Sequence, residues 1–179
     1  EAGEHQFFAR CLRMNETWRA FHEFRDSCLY LDIETDGGTE ITTIGVYDGI
    51  EYVCLVQGED LGSFVDLASK YSMLVTFAGQ MFDLPMLQKR FKMRFDQLHI
   101  DLCPTLKKAG VRGGLKKIEK EFGITRPPGT NLDESRRLNM RMERILCEKF
   151  PNEVVRCWSR IGSPEVPTDA STVEMTVSR

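Results

Sequence analysis

The sequence has few of the residues that build zinc sites. It contains three histidines, and none of its six cysteines belongs to a Cys-x-x-Cys pair. Structural zinc sites combine cysteine and histidine ligands at short, fixed spacings, so we do not expect one here. The cysteines are instead expected to be free thiols in a reducing compartment, which predicts a cytoplasmic location.

Long apolar runs are also missing. No stretch approaches the roughly 20 apolar residues that a membrane-spanning helix needs, so we expect no membrane partner. The sequence begins at Glu1, and we expect it to have been cut from a longer protein or processed at its start, without a signal peptide. Hydrophobic residues make up 41% and charged residues 28%, a balance typical of a globular domain.

Basic residues are scarce in the first half of the chain and concentrated in its middle. Residues 1–85 carry five basic and 15 acidic side chains, whereas residues 86–126 carry 11 basic and four acidic ones. Such a segment either covers a solvated helical face or binds a polyanion such as nucleic acid. The residues expected to contact a nucleic acid backbone are those of the segment KKAGVRGGLKK: Lys107, Lys108, Arg112, Lys116 and Lys117.

Apolar periodicity predicts five strands separated by turns and helices. The predicted strands are residues 28–34 and the segments ITTIGVY, IEYVCLVQG, MLVTFAG and LHIDLC. An Asp-Gly pair between the second and third strands is typical of a hairpin turn. Helices are expected over residues 60–71, 82–91, 103–109 and 114–122. Three antiparallel strands, then strand–helix–strand, predict an α/β fold with a five-stranded mixed sheet.

The chain is expected to have three parts. Residues 1–27 mix aromatic and charged residues at helical spacing, and they predict a helical lead-in. Residues 28–150 form the α/β domain. Residues 151–179 lack a useful period and become rich in serine, threonine, proline and valine, which predicts a divergent, flexible tail.

Two carboxylates interrupt the first strand in the segment YLDIETD. Because side chains alternate along a strand, Leu29, Leu31 and Ile33 point to one face, and Asp32 and Glu34 point to the other. The two acids then lie roughly 6–7 Å apart. Either this face is wet and the acids are solvated, or they hold a divalent cation such as Mg²⁺ or Mn²⁺, which prefers oxygen ligands.

A third carboxylate, Asp83, follows an apolar strand and the turn at Gly79. An aspartate at a helix start can simply stabilise the helix dipole. The ends of buried strands are also where α/β folds place their ligand sites. On that second interpretation, we expect Asp83 to converge with Asp32 and Glu34.

Three segments together resemble a known family. LYLDIETDGG, LVTFAGQMFDLPMLQKRF and HIDLCPTLKKAGVRGGLKKIEKEFGI are similar, in order and spacing, to the motifs of the DnaQ-type (DEDD) 3′–5′ exonuclease superfamily, which has a ribonuclease H-like fold. The nearest branch is that of the YprB-like proteins, and the resemblance covers roughly residues 4–132.

The resemblance implies a metal-dependent nuclease. Asp32, Glu34 and Asp83 would be its catalytic and metal-binding residues, with Mg²⁺ or Mn²⁺ in a two-metal site that hydrolyses phosphodiester bonds. The partner would be DNA or RNA, as a single strand or a 3′ end. With these motifs present, we favour nucleic acid binding for the basic segment.

The sequence departs from the family at two places. Ala78 stands where the family usually has asparagine. The family also has a fourth aspartate on a late helix, preceded by a histidine or tyrosine as general base, but this chain has no histidine after His99 and no tyrosine after Tyr71. The general base is therefore unknown. The alternative function is a catalytically impaired nucleic-acid-binding domain with the same fold.

Three more residues near the motifs are interpreted as structural. Asp101, at the end of the fifth strand, matches an aspartate common in the family, and we expect a structural or peripheral role. Phe77 and Phe82 could stack on bases, but we expect them to be core residues.

Overall fold

The computed structural model describes residues 4–123, and the predicted boundary at residue 150 and the predicted tail lie outside them. The helices are α1 (Glu4–Cys11), α2 (Phe21–Phe24), α3 (Phe64–Ala68), α4 (Asp83–Phe91), α5 (Leu102–Lys108) and α6 (Leu115–Glu121). The strands are β1 (Cys28–Thr35), β2 (Ile41–Tyr47), β3 (Tyr52–Val56), β4 (Met73–Thr76) and β5 (Leu98–Asp101). Short 3₁₀ turns precede α2, β1 and α3.

The five strands form one mixed sheet in the order β3-β2-β1-β4-β5. The pairs β1–β2 and β2–β3 are antiparallel, whereas β4 runs parallel to both β1 and β5. The predicted fold class, three antiparallel strands followed by two parallel ones with flanking helices, is confirmed. The crossovers that parallel strands need are supplied by α3, between β3 and β4, and by α4, between β4 and β5.

The hairpin between β2 and β3 forms at the predicted Asp-Gly turn. Asp48 Oδ1 accepts the main-chain N–H groups of Ile50 and Glu51, each at 2.8 Å. Gly49 has φ +101°, a conformation that glycine adopts without a steric penalty. The turn thus sets the register that places Tyr47 opposite Tyr52.

Helices cover both faces of the sheet, so β1 is buried on both sides. On the face we call the α5 face, Cys28 and Tyr30 pack with α2, α5 and α6. On the opposite face, the α4 face, Leu29, Leu31 and Ile33 pack with α3 and α4. Since β1 is closed in by both cores up to Leu31, Asp32 is the first residue of the strand whose side chain is not fully buried.

The edge of the sheet at β5 is covered by the N-terminal segment. Both α1 and the turn Thr17–Ala20 contact β5, and the Thr17 hydroxyl donates to the main-chain carbonyl of His99 at 2.6 Å. An open strand edge exposes unpaired polar groups, and a covering segment removes them from solvent. Within residues 4–123, no helix combines the length and the apolar character that crossing a membrane requires.

Candidate functional site

The two acids of β1 lie near its end, on the α5 face. Asp32 and Glu34 are half-buried, and the residue between them, Ile33, is in the core of the α4 face. Asp32 lies opposite Gly45 of β2, which has no side chain to fill the neighbouring position. On the other side, the pairing with β4 ends at Tyr30. Asp32 therefore lies beyond the part of β1 that pairs with β4, and a glycine is its partner on β2.

Asp83 opens α4 and reaches back to β1. Its side chain is buried, and its Oδ1 atom accepts the main-chain N–H of Ile33 at 3.1 Å. Burial, and next the negative charge of Asp32, raise the pKa of Asp83 to about 7. The structure thus brings two of the three predicted carboxylates close enough to repel each other, and it ties Asp83 to the strand between Asp32 and Glu34.

This arrangement fits a divalent cation in part. A cation beside Asp83 would offset both causes of its raised pKa, and Mg²⁺ commonly binds one or two carboxylates and completes its ligands with water and substrate phosphate. Over residues 4–123, however, no group of three or more histidine, cysteine, aspartate or glutamate side chains is arranged to hold a metal ion. The described site therefore contains a pair of carboxylates, Asp32 and Asp83, and Glu34 lies one strand repeat further along.

The loop that leads into Asp83 is held by Asp101. Asp101 Oδ1 accepts the N–H of Ala78 at 2.8 Å, and its Oδ2 accepts the N–H of Gln80 at 3.0 Å. The same carboxylate caps α5 by accepting the N–H of Cys103 at 3.0 Å. Its oxygens are thus occupied by main-chain donors, which gives Asp101 the structural role expected of it.

A second anchor holds the same loop through β4, and the sequence interpretation missed it. Thr76 Oγ1 lies 3.0 Å from His99 Nε2 and accepts the N–H of Gly79 at 3.2 Å. A Cβ at Gly79 would collide with the Thr76 side chain, so only glycine fits there. The available signal was the two-residue spacing of His99 and Asp101, which places both on one face of β5.

The departure at Ala78 has a backbone explanation. Ala78 has φ +66°, in the left-handed region that is unfavourable for a residue with a Cβ. Asparagine, which the resemblance leads one to expect at this position, tolerates that region better than alanine does. The loop therefore keeps a conformation suited to asparagine or glycine while carrying alanine.

The two aromatic residues near Asp83 behave differently. Phe77 is half-buried and packs against the core of the α5 face, as predicted. The prediction that Phe82 is a core residue is wrong, because its side chain is 48% exposed and the preceding Met81 is 85% exposed. The reason is that α4 begins at Asp83, so Asp83 and Leu84 occupy the inward positions and Phe82 is turned out.

The predicted basic residues lie on α5, on α6 and between them, on the same face of the sheet as Asp32. All five (Lys107, Lys108, Arg112, Lys116 and Lys117) are exposed. Within residues 4–123, one of the five forms an ion pair, between Lys117 and Glu121 at 3.9 Å. Because α5 begins directly after Asp101, its basic last turn lies about 9 Å along the helix from the loop anchor.

Comparisons with known proteins identify the family. The model of the RNase_H superfamily matches residues 29–139. The chain belongs to the RNase H superfamily. A search of curated proteins found no match. Among solved structures, the chain is similar to the crystal structure of the Nibbler EXO domain from Aedes aegypti, with 12% identity, a TM-score of 0.46, and coverage of 83% of this chain and 87% of that one.

The RNase H superfamily match contains all the candidate carboxylates. It begins within β1 and extends past α6, so Asp32, Glu34, Asp83 and the anchor Asp101 are all inside it. The N-terminal helices α1 and α2 precede the matched range. The part of the chain that covers the β5 edge is therefore outside the region that identifies the family.

The conformation of Ala78 predicts that Ala78→Gly stabilises the protein. Glycine removes a left-handed penalty of roughly 1–2 kcal/mol and keeps the N–H that Asp101 accepts, so after the entropy that glycine adds to the unfolded chain we expect a gain of about 0.5–1 kcal/mol. Urea unfolding measures it. The control, Ala9→Gly in the exposed part of α1, should instead lower stability by about 0.5–1 kcal/mol. A loss in both variants would contradict the conformation found for Ala78.

Two buried groups predict opposite pH dependences of stability. The pKa of Asp83 is raised from 3.8 to about 7, so protonated Asp83 stabilises the folded chain. This contribution to the free energy of unfolding is present in full below about pH 4 and is lost as pH rises through 7. The pKa of His99 is lowered by burial from 6.5 to about 4, so its contribution is present above about pH 6.5 and is lost as pH falls. Between about pH 4 and 6.5, the two groups change the free energy of unfolding in opposite directions, each by up to about 1.4 kcal/mol per pH unit.

A single variant at each position should remove the pH dependence of stability that the residue causes. We expect Asp83→Asn to lose stability relative to wild type as pH falls from about 6.5 to 4.5, and His99→Gln to gain it over the same range. Urea unfolding with EDTA present, which keeps metal out, gives the three profiles. Parallel profiles for the three proteins would show that these groups titrate normally.

Proposed function

We propose that this chain is a divalent-metal-dependent nuclease of the DnaQ-like (DEDD) type, in the YprB-like branch. The activity would be 3′–5′ exonucleolytic hydrolysis of phosphodiester bonds in DNA or RNA. One observation carries the proposal: in a chain of the RNase H superfamily, the buried Asp83 is held against β1 beside Asp32, with a pKa raised to about 7. Carboxylates placed together against their own repulsion are typical of functional sites.

Asp32 and Asp83 would hold the metal ions, Mg²⁺ or Mn²⁺, with Glu34 contributing from the same strand face. Bound cations of this kind supply charge stabilisation for the attacking and leaving oxygens of a phosphodiester. The protein's own contribution is positioning: Ile33 fixes Asp83 through its N–H, and Asp101 fixes the loop that precedes it. The general base is not assigned.

The surroundings of the carboxylates suit a single strand. Met81 and Phe82 are exposed immediately before Asp83, and an exposed aromatic ring such as that of Phe82 can stack on an unpaired base. The basic residues of α5 and α6 lie on the face of the sheet from which Asp32 projects, where they can contact phosphates. A 3′ end that enters between these two surfaces would meet the carboxylates.

A second function is favoured by a specific observation. Within residues 4–123 the carboxylates form a pair and not a group of three. The sequence has no histidine after His99 and no tyrosine after Tyr71, so it offers no general base of the kind that the family carries on its late helix. A domain with this site could bind nucleic acid and hydrolyse it slowly or not at all. The two functions share the binding surface and differ in turnover.

We also propose a cytoplasmic location. Cys11, Cys54 and Cys103 are free thiols, as expected of a protein in a reducing compartment.

The nuclease proposal predicts that turnover requires both carboxylates. With 5′-labelled single-stranded DNA or RNA and Mn²⁺, the wild type should give a ladder of fragments shortened from the 3′ end. Asp32→Asn and Asp83→Asn should each lower the rate by more than the roughly 10- to 100-fold that removal of an outer-shell partner of a metal site causes. Asp66→Asn, on the exposed side of α3, is the control and should not change the rate.

The same assay separates the two functions. Binding of the labelled strand without any shortening, in wild type and variants alike, supports the non-hydrolysing domain. Shortening that survives both Asp32→Asn and Asp83→Asn would remove the two carboxylates from the mechanism.

The basic segment predicts a salt-dependent affinity. For single strands, the slope of log K against log salt changes by about 0.7 for each phosphate that a basic side chain no longer neutralises. The double variant Lys107→Gln/Lys116→Gln should therefore lower the slope by about 1.4, as measured by fluorescence anisotropy in EDTA. Lys70→Gln, which is exposed after α3 on the other face, should leave it unchanged. A wild-type affinity that does not respond to salt would contradict the basic surface.

A further inference from the structure

A cavity of about 630 Å³ lies beside β5, between α1 and α4. It is distinct from the carboxylate pair, since neither Asp32 nor Asp83 lines it. Its volume falls in the range of roughly 300–1,000 Å³ typical of sites for small ligands. The cavity reaches Gln80 in the loop before Asp83 and His99 in β5, so it adjoins the elements that hold the candidate site.

The lining of this cavity is unusually rich in amide side chains. The whole chain has five glutamines, and four of them line the cavity. They come from separate parts of the fold: Gln6 from α1, Gln80 from the loop before α4, Gln88 from α4, and Gln97 from the residue before β5. Gln57, the fifth, is exposed after β3. These glutamines are far apart in sequence and come together only in the folded chain.

Amide side chains and apolar walls together indicate the class of ligand. Gln97 is held within the protein, because its NH₂ group donates to the main-chain carbonyl of Ala68 at 3.0 Å and its amide oxygen is buried. Gln6, Gln80 and Gln88 each offer both a donor and an acceptor, the combination that pairs with the edges of nucleobases. Between the amides, the walls are apolar, with Leu84, Pro85 and Phe95, and such walls suit the faces of a flat ring. This combination fits a heteroaromatic ring with amide-like edges.

The charges of the lining limit the ligand further. Arg10 and Asp96 are its one basic and one acidic side chain. Burial lowers the pKa of His99, which also lines the cavity, to about 4, so His99 is neutral at physiological pH. One cation and one anion do not suit a di- or triphosphate. They are compatible with a ligand that carries a single phosphate, which Arg10 can contact.

We infer that this cavity binds the base of a nucleotide, with the amides of Gln6, Gln80 and Gln88 along its hydrogen-bonding edges and Arg10 near its phosphate. The base can come from a free nucleoside monophosphate or from a nucleic acid strand. The inference does not depend on hydrolysis, because binding in the cavity needs neither Asp32 nor a metal ion. The location beside Gln80 means that an occupant would contact the loop whose Gln80 N–H is held by Asp101.

The test follows the side-chain amides of the full chain by ¹H–¹⁵N NMR, with EDTA present. The chain has five glutamine NH₂ groups, and single Gln→Glu variants assign them. Titration with AMP, CMP, GMP and UMP should shift the signals of Gln6, Gln80 and Gln88 for at least one nucleotide. Gln57 should not move. Ribose 5-phosphate, which has the sugar and phosphate but no base, should leave all five unchanged.

Matched variants give the energetic test. Gln88→Leu replaces an exposed residue of α4 and should weaken nucleotide binding about three- to tenfold, the effect of removing one neutral hydrogen bond. Gln57→Leu should leave the affinity unchanged. Thermal unfolding of both variants checks that they remain folded.

A comparison of two single strands identifies the source of the base. A short single strand with a normal 3′ nucleotide is compared with one that ends in an abasic site. Shifts of the Gln6, Gln80 and Gln88 amides with the normal strand assign the cavity to the strand, and shifts with monophosphates alone assign it to free nucleotides. No shift with any base-containing ligand, equal shifts with ribose 5-phosphate, or an affinity that Gln88→Leu leaves unchanged would each overturn the inference.

Discussion

The candidate site depends on one hydrogen bond between the main chain of a strand and a buried carboxylate. The N–H of Ile33 donates to Asp83 Oδ1, which ties the first residue of α4 to β1 across fifty positions of sequence. Burial and the neighbouring negative charge oppose this arrangement, because burial penalises the charge of Asp83 and Asp32 repels it. The hydrogen bond and the apolar packing of Leu84 and Leu87 on the α4 face oppose these two effects. The fold thus holds together two groups that would separate in solution, which is the condition under which a bound cation or proton gains most.

The position of Asp83 also depends on side chains from the far strand of the sheet. Asp101 and His99 both project from β5, and they fix the loop before Asp83 through its main chain and through Thr76. That loop contains Ala78 in a left-handed conformation, an unfavourable term of roughly 1–2 kcal/mol that the hydrogen bonds have to offset. A charged group held by several anchors on rigid strands keeps its geometry better than one on an unsupported loop. The β5 side chains therefore act on the site without being part of it.

The sequence was informative where the determinants are local, and less so where they depend on packing. Strand alternation separated Asp32 and Glu34 from the apolar residues of β1, and the turn at Asp48–Gly49 followed from turn preferences. The helix expected over residues 82–91 begins one residue later, at Asp83. Phe82 was misassigned because its burial depends on the exact residue at which α4 begins. The contact between Thr76 and His99 joins two strands and has no local signature. The four glutamines of the cavity come from four segments, so their convergence could be known only after the chain was folded.

The raised pKa of Asp83 links the metal, the proton and the fold. A proton and a divalent cation neutralise the same carboxylate, so they compete for it. With a pKa of about 7, Asp83 is partly protonated at neutral pH when no metal is present. Cation affinity should therefore fall as pH drops below 7, even though the ordinary pKa of an aspartate lies about three units lower. Ionisation of Asp83 without a cation leaves a buried charge beside Asp32, which destabilises the folded chain, and a cation removes that penalty. On the proposed function, the interaction that weakens the metal-free protein at high pH is thus the one that a bound metal ion would relieve.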